Sequence, residues 1–271
     1  MRQLRIAFLG GGNMARALIA GLVDAGLPPA SISVGEPLPS QRERLAGDYG
    51  VGVQADNAAA IAGAEVLILA VKPQELPAVL ATLRPQLTRQ QPLLLSIAAG
   101  VRMASISSWA PGCPVVRAMP NRGALLRAGA TAACAAPEVS AERRQQAESI
   151  LRTSGLVVWV PEESQLDAVT ALSGSGPAYF FLLAEQMAAA GAALGLDAAT
   201  ARALAAATLR GAGALAHADP DLAAQRVAVT SRGGTTEAAV AVFNQSDISA
   251  IVLRAMRAAC ERSVQLAQLN T

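Results

Sequence analysis

Up to Val160, apolar residues fall in short continuous runs, and between the runs they recur at helical spacing. The runs at 4–9, 32–34, 51–53, 66–71, 93–97, 115–118, 130–134 and 156–160 predict eight strands. Helical patterns stand between most of them, for example at 41–47, 58–62 and 141–153. Another follows the first strand at once, with Met14, Leu18 and Leu22 beside Ile19 and Val23. Continuous aliphatic strands alternating with helices predict an α/β fold with a parallel, doubly wound, Rossmann-like sheet. The last two strands fit the sheet edge in either direction.

After Pro161 the pattern changes. Long Ala/Leu segments at 165–172, 178–194, 198–216, 236–243 and 249–269 predict an all-α second half. The boundary falls near Glu162, giving one domain over 1–161 and another over 162–271. Several of the later helices are apolar on more than one face, so they require burial. A domain of this size offers little of it, and the helical half is expected to pack against a second copy of itself.

The first strand runs into Gly10-Gly11-Gly12-Asn13-Met14-Ala15. Gly10 permits a tight turn, Gly12 lets a pyrophosphate approach the backbone, and Ala15 lets the helix pack close to the strand. The free N–H groups of the helix start favour a diphosphate. Glu36 follows the second strand, where an acidic residue suits the adenosine ribose hydroxyls of NADH. Arg42 and Arg44 stand near enough in sequence to meet the 2′-phosphate of NADPH, and both readings stay open. Asn57 is expected to cap its helix and to reach the ribose. The strand at 66–71 leads to Lys72-Pro73-Gln74, at the carboxyl edge where such sheets bind ligands. The small residues of Ser96-Ile97-Ala98-Ala99-Gly100 leave room for a flat ring.

Composition narrows the class. Of 271 residues 52% are hydrophobic and 3% aromatic, which predicts a core of aliphatic strands and closely packed small residues. The net charge of +2 without a basic run argues against nucleic acid. No uncharged apolar run reaches the ~18 residues of a membrane span. Asn13 and Arg16 interrupt the apolar N-terminus, unlike a signal peptide, so the chain reads as cytoplasmic. Cys113, Cys134 and Cys260 are isolated, which suggests neither a metal site nor a disulfide framework. His217 is the one histidine, so histidine triads are excluded. Among 22 basic residues only Lys72 is a lysine.

Two more glycine-rich helix starts lie in the second half: Ser173-Gly174-Ser175-Gly176-Pro177 and Ser231-Arg232-Gly233-Gly234-Thr235-Thr236. Hydroxyls, glycines and free helix N–H groups make an anion cradle. No lysine follows in P-loop spacing, so a small carboxylate fits better than a nucleotide phosphate.

With these segments in place, the chain resembles the pyrroline-5-carboxylate reductase family along nearly its whole length. The resemblance rests on GGGNMA, AVKPQ at 70–74, SIAAGV at 96–101, RAMPN at 117–121, DAVTALSGSGPAYFF at 167–181 and SRGGTT at 231–236, in the family's order. It implies reduction of 1-pyrroline-5-carboxylate, a cyclic imino acid, to L-proline by NADPH or NADH, the last step of proline biosynthesis. It also implies a homodimer through the C-terminal helices, with higher assemblies of such dimers common. Gly10, Gly12, Asn13 and Met14 would hold the pyrophosphate, and Asn57 the ribose. Val71, Lys72, Pro73 and Ala98 would line the nicotinamide end. Met119, Pro120 and Asn121 would floor the active site, with Ser175 and Gly176 near the pocket. Ser231, Gly233, Gly234, Thr235 and Thr236 would bind substrate, reaching across from the partner subunit. Thr236 and Lys72 are the candidate catalytic residues. Arg122-Gly123 replaces the family's usual Thr-Pro, Arg232 its proline, and Arg127-Ala128-Gly129 its Gly-Glu-Gly. These departures keep open a non-catalytic dinucleotide-binding relative, alongside a reductase of another cyclic imine.

Overall fold

The computed structural model describes residues 4–270. All eight strands form: β1 (Ile6–Leu9), β2 (Ile32–Gly35), β3 (Gly52–Gln54), β4 (Val66–Leu69), β5 (Leu93–Ser96), β6 (Val115–Met119), β7 (Gly129–Ala135) and β8 (Gly155–Trp159). They make one sheet in the order β3-β2-β1-β4-β5-β6-β7-β8. The first six are parallel to one another. β7 pairs antiparallel with β6, and β8 parallel with β7, so the last two strands run against the other six. The short Pro120–Ala128 link explains the reversal, because a parallel crossover needs a dozen or more residues.

The helices of the sheet half are α1 (Asn13–Asp24), α2 (Pro39–Tyr49), α3 (Asn57–Ala60), α4 (Leu76–Gln90), α5 (Met103–Trp109), α6 (Ala141–Arg152) and α7 (Gln165–Val169). Strand alternation sends Phe8, Ile68 and Leu95 to one face, against Leu18, Ile19, Ile150 and Leu151. Leu9, Leu67, Leu69 and Leu94 face the other way, against Leu76, Leu80, Leu83, Leu87 and Ile106. Burial on both faces is what the continuous aliphatic runs require.

The second half holds α8 (Gly176–Ala193), α9 (Ala198–Ala218), α10 (Leu222–Ala228), α11 (Thr235–Gln245) and α12 (Ile248–Leu269). The chain forms two compact units, divided between Gly174 and Ser175, with residues from Ala259 onward returning to the first unit. This division falls later than the change of pattern at 161/162. The cause lies in α7, whose Leu166 packs with Ala132 and Cys134 of β7. Buried Asp167 accepts hydrogen bonds from Arg102 and from Ser263, each at 2.7 Å. The second of these ties the end of α12 to the sheet unit, and Asn270 adds a 3.2 Å bond to the Gly100 carbonyl. The helix expected over 165–172 is α7 followed by a single π turn at Thr170–Gly174. Nearby, buried Arg117 of β6 pairs with Glu163 at 2.7 Å, and the same carboxylate oxygen accepts the Met103 N–H.

Candidate active site

The glycine turn is built by two close approaches. Gly10 has φ +95, and a Cβ there would stand 2.9 Å from the Ala70 carbonyl oxygen and 3.1 Å from Val71 Cγ1. Its N–H donates to the Gly35 carbonyl at 2.8 Å. The turn is thereby pinned between the ends of β2 and β4, and Val71 is brought onto Gly10. Gly12 is different: a Cβ there would meet nothing within 4 Å. It caps α1 in extended backbone without a side-chain hydrogen bond, and the first turn of α1 carries no acidic residue. Open space in front of Gly12, Asn13 and Met14 thus faces orphan backbone donors. This cradle fits the diphosphate of a dinucleotide.

Glu36 is 8% exposed. Its Oε2 accepts the Gly11 N–H at 2.9 Å and its Oε1 the Leu38 N–H at 3.0 Å. Arg42 sends one arm of its guanidinium to the carbonyls of Glu36 and Pro37, both at 2.8 Å. Arg44 is exposed. The cap of α3 is Asp56, not Asn57 as expected: the Asp56 carboxylate accepts the N–H groups of Ala58 and Ala59, both at 3.2 Å. Asp56 is a short acceptor one residue outside the helix, which is what a cap requires. Asn57 is left free of capping, and its Oδ1 lies where a Cβ on Gly35 would stand. The glycine at the end of β2 therefore gives Asn57 its place at the sheet edge.

Past β4, Val71 is half-buried and Lys72 exposed, and Pro73 opens the 3₁₀ turn that leads into α4. Past β5, Ala98 is buried, its N–H 3.4 Å from Ser96 Oγ. Past β6, half-buried Asn121 uses its whole amide internally. Nδ2 donates to the carbonyl and the hydroxyl of Ser173, and Oδ1 accepts the N–H groups of Gly123 and Ala130. Two donors and two acceptor positions exhaust an amide. The Asn121 side chain thereby braces the chain around it. Met119 joins the same group, since a Cβ on Gly174 would stand 2.6 Å from Met119 Cε.

In the second unit Ser175 and Gly176 open α8, with Pro177 in its first turn and no side-chain cap. The loop before α11 closes on itself. Gly234 donates to the Ser231 carbonyl at 3.0 Å, and a Cβ on Gly234 would strike Ser231 Oγ. Gly233 has φ +71, and its N–H donates to Glu237 Oε2 at 2.7 Å. Glu237 was not among the expected site residues. An acid in the first turn of a helix that follows a glycine cap is the signal that marks it, since a carboxylate there reaches back to free N–H groups. Thr236 is half-buried, while Ser231, Arg232, Gly233 and Thr235 are exposed.

Comparison with known proteins gives this geometry a family. Residues 163–266 match the family model described as pyrroline-5-carboxylate reductase dimerisation, and residues 5–100 the one described as NADP oxidoreductase, coenzyme F420-dependent. The pyrroline-5-carboxylate reductase of Pseudomonas aeruginosa is 46% identical over 270 residues, covering 99% of this chain and 98% of that one. A solved pyrroline-5-carboxylate reductase from Coxiella burnetii has a TM-score of 0.94 and 38% identity, over 98% of this chain and 99% of that one. The Plasmodium falciparum pyrroline carboxylate reductase with NADP bound shares the fold at a TM-score of 0.83 and 24% identity, over 98% and 99%. With similarity of this strength running from the glycine turn through the last helix, the chain belongs to the pyrroline-5-carboxylate reductase family.

Proposed function

We propose that this chain reduces 1-pyrroline-5-carboxylate to L-proline with a reduced nicotinamide dinucleotide, the last step of proline biosynthesis. The observation that carries the reading is the open Gly12 cradle, at a helix start with neither a side-chain cap nor an acid, in a chain of this family.

Gly10, Gly12, Asn13 and Met14 hold the diphosphate. Asn57 and Glu36 serve the adenosine ribose, and Val71, Lys72, Pro73 and Ala98 bound the nicotinamide end. When bound, the reduced nicotinamide supplies the hydride. The imine carbon gains that hydride and the imine nitrogen gains a proton, so the C=N bond becomes a C–N single bond. A protonated imine is already electrophilic, which leaves positioning as the main task of the protein. Alignment of reactants supplies about 7–11 kcal/mol in favourable cases. The N–H groups of Gly233 to Thr236, with the Ser231 hydroxyl, reach across from the partner subunit and clamp the substrate carboxylate. The Thr236 hydroxyl meets the imine nitrogen as donor or as relay for its proton. Met119 lines the floor, while Asn121 positions the Ser173–Gly174 turn.

The assembly in this reading is a homodimer through the helical unit. Phe180, Phe181, Leu182 and Leu183 are all 45–62% exposed on α8. An apolar groove of about 680 Å³ between α8 and α9 is lined by Phe181, Ala188, Ala205 and Leu209. Contiguous apolar surface of this kind marks an interface, and the dimerisation family model covers it. Higher assemblies of that dimer and a cytoplasmic location belong to the same reading. Among the described residues no helix is long and apolar enough to cross a membrane.

The test is an absorbance assay of NADH and NADPH consumption with 1-pyrroline-5-carboxylate and a panel of other cyclic imines. Consumption led by the five-carboxylate, with proline as product, supports the reading. Preference for another imine, or dinucleotide binding without turnover, contradicts it.

A further inference from the structure

We propose that Glu36 discriminates between the two reduced dinucleotides and sets this chain's preference as NADH over NADPH; the inference rests on the reading that a dinucleotide occupies the Gly12 cradle.

The Glu36 carboxylate is part of the glycine turn. Its Oε2 accepts the Gly11 N–H and its Oε1 the Leu38 N–H, one bond on each oxygen. A Cβ on Gly11 would stand 3.3 Å from Oε2, so the carboxylate lies directly against the turn. Swinging it aside would strand both N–H groups in a site where the residue is 8% exposed. The carboxylate is therefore a fixed negative charge at the end of β2, with little water to screen it.

Each carboxylate oxygen keeps acceptor capacity beyond its one bond. A ribose diol offers two donors to such a group. A 2′-phosphate replaces one donor with negative charge and acceptors only. Juxtaposed like charges disfavour the wrong partner. A carboxylate that cannot withdraw enforces this more strictly than a mobile surface acid would.

The neighbouring cations do not reverse the sign. One arm of Arg42 is committed to the carbonyls of Glu36 and Pro37, at 2.8 Å each. It fastens the chain that follows Glu36, and Nη1 is thereby spent on these carbonyls and not on a phosphate. Arg44 is exposed on α2 and touches none of these groups among the described hydrogen bonds and ion pairs.

Titration calorimetry of NADH and NADPH binding to the full chain tests the inference without any turnover. The wild type is expected to bind NADH about tenfold or more tightly than NADPH, and Glu36→Gln to narrow that ratio by about tenfold, chiefly by tightening NADPH. Arg42→Ala leaves the carboxylate in place and is expected to keep the NADH preference. It decides the matter even where Glu36→Gln fails to fold. Equal wild-type affinities, an NADPH preference, an unchanged ratio in Glu36→Gln, or selective loss of NADPH affinity in Arg42→Ala overturns the inference alone. Binding of neither cofactor overturns the cradle reading together with it.

Discussion

Asn121 Nδ2 reaches Ser173 twice, 3.2 Å from its carbonyl oxygen and 3.3 Å from its hydroxyl. The other end of the amide holds the Gly123 and Ala130 N–H groups at 3.1 Å each. One side chain thus joins the end of β6, the start of β7 and the glycine turn that precedes α8. Asn121→Ala removes four hydrogen bonds at once, each with a net worth of about 1 kcal/mol. Denaturant unfolding of this variant is expected to show a loss of about 2–4 kcal/mol. Asn121→Asp keeps the acceptor end and loses the donors to Ser173, so its loss is expected to be smaller. Equal stability of Asn121→Ala and wild type would remove the bracing role.

Gly10 and Gly12 separate folding from binding. Gly10→Ala places a methyl against the Ala70 carbonyl at φ +95 and is expected to cost at least about 1–2 kcal/mol of stability. Gly12→Ala meets no neighbour within 4 Å in ordinary extended backbone. Its stability is expected to stay within about 0.5 kcal/mol of wild type. The same methyl stands where the diphosphate must approach, so dinucleotide affinity is expected to fall about tenfold or more, or ~1.4 kcal/mol. Thermal unfolding and binding titrations on the two variants check the contrast, which a purely structural turn would not produce.

Glu237 holds the Gly233 N–H from four residues further on. A hydrogen bond to a charged partner contributes about 1.5–3 kcal/mol, and here it fixes a loop with few other internal bonds. Glu237→Ala is expected to raise KM for 1-pyrroline-5-carboxylate severalfold. The Kd for the reduced dinucleotide is expected to remain unchanged. A rise in both constants would mean that the loop does not serve the substrate alone.

Burial raises the Cys113 thiol from its ordinary 9.0 to about 11, opposed by the nearby Arg143 charge. The thiol also donates to the Leu87 carbonyl at 3.7 Å. The native chain holds this proton more tightly than the unfolded chain does. Its contribution is complete below pH 9 and is lost as pH climbs toward about 11. Unfolding free energies measured across that window are expected to fall more steeply for wild type than for Cys113→Ala. Parallel slopes would show that Cys113 is not the titrating group.

The strands were legible because both faces of β1, β4 and β5 are buried, which forces unbroken aliphatic runs. The direction of β7 is written in no strand residue; it follows from the length of the link after Met119, which is too short for a parallel crossover. The cap at Asp56 was misread because both Asp56 and Asn57 are good caps, and only backbone angles choose between them. The bracing by Asn121 was not legible, because Ser173, which takes both of its amide donors, lies 52 residues further on. Glu36 could be placed by counting from the glycine turn, whereas its two backbone partners came from the fold.

The proposed reaction is a direct hydride transfer from the reduced nicotinamide to the carbon of a cyclic imine. The most direct measurement supplies reduced dinucleotide carrying deuterium at the transferable nicotinamide position and determines the mass of the proline formed. The account predicts proline bearing the label at the former imine carbon. Unlabelled proline, or no proline while the dinucleotide stays bound and reduced, would contradict it.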